Sequence, residues 1–173
     1  MQIRAGILGF AVGLAFAALH LATEYASGGV VSHHLLADPE LPAVSNWFGL
    51  LTLPLLGAFA ADRIARREPG RARRRSIAAA LLALGWGAAL AFAFELGADG
   101  VAEGLFLGLF VLALFLPLHR AECLAGFVLG MTVTFGGVLP VLVAGVVATA
   151  SWVFAAVRRL LGRFIDGRGL AGG

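Results

Sequence analysis

The sequence predicts an all-α integral membrane protein, a six-transmembrane-helix bundle with both termini on the cytoplasmic side. Three observations lead there. Hydrophobic residues make up 60% of the chain and charged residues 13%, with a mean hydropathy of +0.93, outside the balance of a soluble domain. Apolar runs approaching the roughly 20 residues that cross a ~30 Å hydrocarbon core recur along nearly the whole sequence. The basic residues are all arginine and gather mainly in one loop and the C-terminal segment, the mark of a cytoplasmic face. No aromatic or groove-reading element accompanies that charge, so nucleic acid is not an expected partner. The single Cys123 allows no intrachain disulfide, and the fold must rest on helix packing.

The first apolar run covers residues 5 to 22, after Arg4. Its basic start and the Ala15-Phe16-Ala17 triplet imitate a secretory signal. The run continues through His20 without turn residues, however, and carries Gly9 and Gly13 in GxxxG spacing, so it is read as a retained helix. Ser27-Gly28-Gly29 and the DPELP stretch from Asp38 then break the pattern. The 23–45 connection holds acids and histidines but no arginine, which places it outside the cytoplasm. Its VVSHHLL piece is too short to span, and is expected to lie at the interface or dip towards the helices. Asp38 before Pro39, and Ser45 with Asn46 before Trp47, have the form of helix N-caps.

The second span runs from Trp47 to about Ala61, with Pro54 as an expected kink. The 62–76 loop follows with Arg63, Arg66, Arg67, Arg71, Arg73, Arg74 and Arg75, and anionic lipid headgroups are its expected partner. The third span covers 77–94 and ends at Glu95 in an acidic, arginine-free connection. The fourth covers about 104–118, with Gly104 and Gly108 in GxxxG spacing, and closes at Pro117, His119 and Arg120.

From Cys123 to Val157 the chain is almost continuously apolar. Arg120 precedes this stretch and Arg158, Arg159, Arg163 and Arg168 follow it, so both ends belong on the cytoplasmic side and the chain must turn back. GGVLP at 136–140 is the natural turn, which makes six spans; the alternative is five, with one long tilted helix. Residues 1–160 form a single transmembrane domain, and 161–173 read as a short, glycine-rich cytoplasmic tail. The lipid bilayer, here a bacterial-type inner membrane, is the common partner. Gly9/Gly13, Gly104/Gly108 and Gly126/Gly130 are faces for close helix approach, within the chain or in a homo- or hetero-oligomer.

Polar and ionisable residues gather between His20 and Trp47. His20 and Glu24 lie four apart, on one helix face, and His33 and His34 follow across the glycine turn. Imidazole and carboxylate are the ligand types of zinc and copper sites. The expected metal ligands for Zn or Cu are therefore His20, Glu24, His33 and His34, with Glu24 alternatively the catalytic general base. Asp38, Asn46 and Glu95 are candidate outer-shell partners. Ionisable groups at membrane depth are costly and usually have partners, which argues for a site.

The leading functional reading is thus a metal-binding membrane protein, and as an enzyme one acting on a lipid or other apolar substrate reached from the bilayer. A small transporter, or a structural subunit of a larger membrane complex, is the other class. A proton or solute relay without metal, and plain solvation of these residues, complete the readings. Polar groups buried from both faces would favour transport. No GxSxG elbow surrounds Ser27, Ser32 or Ser45, and phosphate loops and dinucleotide fingerprints are absent. Thr132 and Thr134 are expected to bond back to their own helix, and His119 to be an interface residue at the arginine-bearing end.

Overall fold

A computed structural model describes residues 2–34, 40, 42–67 and 70–169, with side chains from Arg4 to Arg163 among them. Six helices follow in order: α1 Gln2–Ala26, α2 Gly49–Ala65, α3 Arg71–Glu95, α4 Asp99–Phe115, α5 Ala121–Phe135 and α6 Leu139–Gly169. Between α1 and α2 lies a two-stranded antiparallel hairpin, β1 Ser32–His34 and β2 Ala43–Ser45, with His33 opposite Val44. Four segments are long and apolar enough to cross a membrane: Arg4–Ala26, Asn46–Ala65, Arg71–Glu95 and Leu139–Arg163. Helix α5 is shorter, and α4 has 17 residues. Many large apolar side chains are exposed along the helices, among them Leu8, Leu82, Phe92 and Val133, as expected where lipid is the solvent.

The packing is built on two intimate helix pairs, α1 with α2 and α3 with α5. Glycine makes both possible. A Cβ on Gly13 would collide with the backbone of Leu53 and Pro54, and one on Gly126 or Gly130 with the carbonyls of Ala80 or Leu84. Lipid tails are as apolar as leucine, so close van der Waals contact between backbones holds helices together where a hydrophobic drive is missing. Two of the three glycine pairs are thus used inside the chain. Gly104 has open space before it, and Gly108 faces the ring of Trp86.

Local chemistry sets the breaks. Helix α1 ends where Gly28 and Gly29 adopt φ of 125° and 129°, which L-residues with a Cβ rarely reach. Helix α2 runs on through Pro54, which is buried against α1. Helix α5 stops at Gly136, φ 68°, and α6 starts at Leu139, so the long apolar stretch is two helices and the single-helix alternative fails. Thr52 donates to the Gly137 carbonyl at 2.9 Å and ties α2 to that turn. The connection after α3 is shorter than the acidic run implied, because Asp99 and Glu103 lie in α4, both exposed. The segment after 160, expected as a tail, continues α6 as far as Gly169.

Candidate functional site

On α1, Gly13, Ala17 and Leu21 form the buried face towards α2. His20 and Glu24 continue next to it at the end nearest the hairpin. Their side chains are only 9% and 12% exposed, and His20 Nε2 lies 3.3 Å from Glu24 Oε1. The hairpin closes over them. Glu24 Oε2 accepts the backbone N–H of Val31 at 3.3 Å, and the Val31 carbonyl accepts the Asn46 N–H at 3.0 Å. Asn46 Nδ2 donates to Glu24 Oε1. Asn46 is 2% exposed, and its carboxamide occupies the space that a Cβ on Gly136 would need. Glycine at the end of α5 therefore makes room for the side chain that holds Glu24.

Position in the hairpin separates the two loop histidines. Side chains alternate across a strand, so His33 turns inward while Ser32 and His34 are exposed. Burial lowers the His33 pKa below the usual 6.5; Glu24 partly opposes this, and His20 adds to it. Those two influences place His33 within electrostatic reach of the α1 pair. The Nε2 atoms of both His20 and His33 are buried without a hydrogen-bond partner. For His20 the approach to Glu24 is close but lacks the alignment of a hydrogen bond.

The structure thus brings His20, Glu24 and Asn46 together, with His33 on the inward side of β1 and within electrostatic reach of them. Glu95 is exposed at the last residue of α3, and no described interaction of this cluster reaches it. Asp38 lies outside the described residues. Among the described residues no group of three or more His, Cys, Asp or Glu stands in a geometry that could hold a metal ion. Ser45 does cap the turn after β2, its Oγ accepting the Trp47 N–H at 3.4 Å. Thr132 does bond back to its helix, donating to the Val128 carbonyl at 2.7 Å.

A second polar cluster, not expected from the sequence, lies at the arginine-bearing end. Glu122, in the first turn of α5, is fully buried. Its Oε1 accepts from Ser76 at 3.1 Å and approaches Arg67 Nη2 at 3.5 Å, while Oε2 has no hydrogen-bond partner. The sequence signal was a lone acid at the start of an apolar run, with Gly126 four residues on. Close approach of α3 at that glycine seals the carboxylate away from solvent. Nearby, Ser151 Oγ donates to the Leu116 carbonyl at 2.9 Å and lies 3.1 Å from His119 Nδ1. This fully buried serine joins α6 to the α4–α5 connection and has no access to a substrate as a nucleophile.

Compared with protein-family models, curated proteins and solved structures, the chain matches none.

Proposed function

We propose that the protein is a small polytopic transporter that captures a cation on Glu24, His20 and His33 at the extracytoplasmic rim of the cytoplasmic membrane. The observation that carries this reading is the pair of buried imidazole Nε2 atoms without hydrogen-bond partners beside a carboxylate held by Asn46. A buried polar atom left unpaired is expensive, and a cation shared with Glu24 removes that cost. Imidazole nitrogen with carboxylate oxygen is a donor set for Zn or Cu. Coordination requires the hairpin to move and draw His33 onto Glu24, because the described side chains do not stand in a metal-holding geometry as they are.

Transport is favoured over other roles because a second carboxylate, Glu122, is buried at the far end of α5 with one oxygen unpartnered, while the near end of α5 touches Asn46. The arginine-rich 62–76 segment, expected as a loop but with 62–65 closing α2 and 71–76 opening α3, supports a topology with that end in the cytoplasm. The glycine faces not used within the chain, around Gly104, are the proposed place for oligomer contacts.

A second reading is a metal-dependent enzyme acting on a lipid, with Glu24 as general base. It draws on the apolar groove between the helix pairs, which ends at Phe16, one turn from His20.

The test is metal binding by the detergent-purified protein, titrated with Zn or Cu before and after chelation, and then uptake into proteoliposomes. The expected result is one metal per chain, weakened at least about tenfold in Glu24→Gln or His33→Ala, by analogy with loss of a ligand's support. Uptake should be lost in Glu122→Gln while rim binding persists. Proton uptake without metal binding would replace the metal by a proton relay, and lipid turnover without transport would favour the enzyme.

A further inference from the structure

The two helix pairs do not close on each other along their whole length. Between α1/α2 and α3/α5 runs a cavity of about 970 Å³, lined almost wholly by apolar side chains that include Phe16, Leu53, Leu81, Leu84, Leu129 and Val133. Its walls extend from Ala5 to Phe16 on α1 and from Arg73 to Ala88 on α3. At 1.5 Å per residue these are about 17 and about 22 Å, close to the depth of one leaflet of a ~30 Å hydrocarbon core with its headgroup layer. Leu8, Val12, Leu81 and Val133 line it and are also strongly exposed, so the groove opens sideways towards lipid.

Among the described residues that line it, the charged one is Arg73, at the arginine-bearing end. Its Nε is buried without a hydrogen-bond partner. Of the two acids with described side chains near this end, Asp62 pairs with Arg66 at 2.7 Å, and Glu122 bonds Arg67 and Ser76 through Oε1; no described hydrogen bond or ion pair joins either to Arg73. Arg71, Arg74 and Arg75 are exposed around Arg73. An apolar slot one leaflet deep, with a guanidinium at its headgroup end whose Nε has no hydrogen-bond partner among the described residues, complements an acidic amphiphile in charge and shape.

We infer that this groove holds an acyl tail of an acidic phospholipid from the leaflet on the arginine-bearing side, with the lipid phosphate on Arg73. The inference is independent of the rim site, since no rim residue lines the groove. Bound there, the lipid fills the space between the helix pairs and completes the packing that the glycines leave open.

The experiment uses the full chain in phosphatidylcholine vesicles carrying spin-labelled phosphatidylglycerol or spin-labelled phosphatidylcholine, and reads the immobilised fraction of each probe. Wild type should favour phosphatidylglycerol by about fivefold, the ratio matching about 1 kcal/mol for one basic residue at an anionic leaflet. Arg73→Gln should abolish that preference, Arg73→Lys should keep most of it, and Arg75→Gln, on the exposed face, should leave it near wild type. Leu81→Trp, which fills the groove from its open side, should release the immobilised probe with Arg73 intact. Circular dichroism and monodispersity identify variants that fail to fold. Equal losses in folded Arg73→Gln and Arg75→Gln would overturn the inference in favour of general surface attraction. So would an immobilised fraction that survives Leu81→Trp, or a wild type without preference.

Discussion

Glu24 and Glu122 are housed at opposite ends of the molecule by different means. Glu24 sits where the chain leaves helical geometry, and the hairpin supplies donors that a helix face cannot: the Val31 N–H and the Asn46 carboxamide. Both its oxygens are engaged. Glu122 sits inside a helix crossing tightened by glycine, is 0% exposed, and has donors for one oxygen only. Irregular backbone can be shaped to satisfy a carboxylate, whereas two packed helices have already spent their backbone groups on each other. The difference teaches how each carboxylate is reached: at the hairpin end by movement of irregular backbone, and at the helix-crossing end only by separation of α3 from α5.

The sharpest way to break this contrast is to replace each acid by an apolar residue and compare thermal unfolding in detergent. Glu24→Leu strands the buried Asn46 donor and the Val31 N–H, and should cost about 2–3 kcal/mol. Glu122→Met removes a buried charge whose partner Arg67 is 38% exposed on its side chain and can be hydrated, so it should be near neutral or stabilising by about 1 kcal/mol. Equal destabilisation by the two would mean that Glu122 is as well satisfied as Glu24.

A smaller effect sharpens the role of the hairpin. Asn46→Ala should cost about 1–2 kcal/mol and speed amide exchange in β1 and β2. In a double-mutant cycle with Glu24→Gln, the two losses should fail to add by more than about 0.5 kcal/mol. Additivity would show that the Asn46–Glu24 bond contributes nothing to closing the hairpin.

The smallest effect is the pH response of His33. Its folded pKa lies below the unfolded value near 6.5, so the unfolded form takes up protons first and stability follows the direction set by linkage. Hairpin closure is therefore fully present above about pH 6.5 and weakens as the pH falls towards the lowered folded pKa. Hydrogen exchange of the Ser45 and Asn46 amides between pH 7.5 and 5.5 should report this loosening, and His33→Gln should remove it. A hairpin that tightens on acidification would reverse the sign and place His33 nearer to Glu24 than to a desolvating wall.

Much of the architecture was legible beforehand because bilayer length and hydropathy are properties of the sequence alone. Six helices appear close to their expected places, and the break at Gly136 follows from a glycine pair before a proline. The pairing of His20 with Glu24 was equally legible, since helical periodicity puts residues four apart on one face. The hairpin was not: its strands are three residues each, too short for alternation to stand out, and their pairing depends on a loop closing across the end of α1. The separation of His33 from His34 followed from that strand, because adjacent strand residues point to opposite sides.

What the sequence determined by itself was a series of long apolar helices and one i, i+4 polar pair, both of which come from composition and local period. Only the tertiary structure decided that Asn46 holds Glu24, that Glu122 is buried, and that an apolar groove with Arg73 at its end separates the helix pairs. Each of these depends on which glycine meets which backbone. Gly136 admits the Asn46 side chain, Gly126 lets α3 cover Glu122, and the tight pairing of α1 with α2 and α3 with α5 leaves space between the pairs. A glycine in the sequence permits close approach without specifying what approaches, and packing supplies the partner.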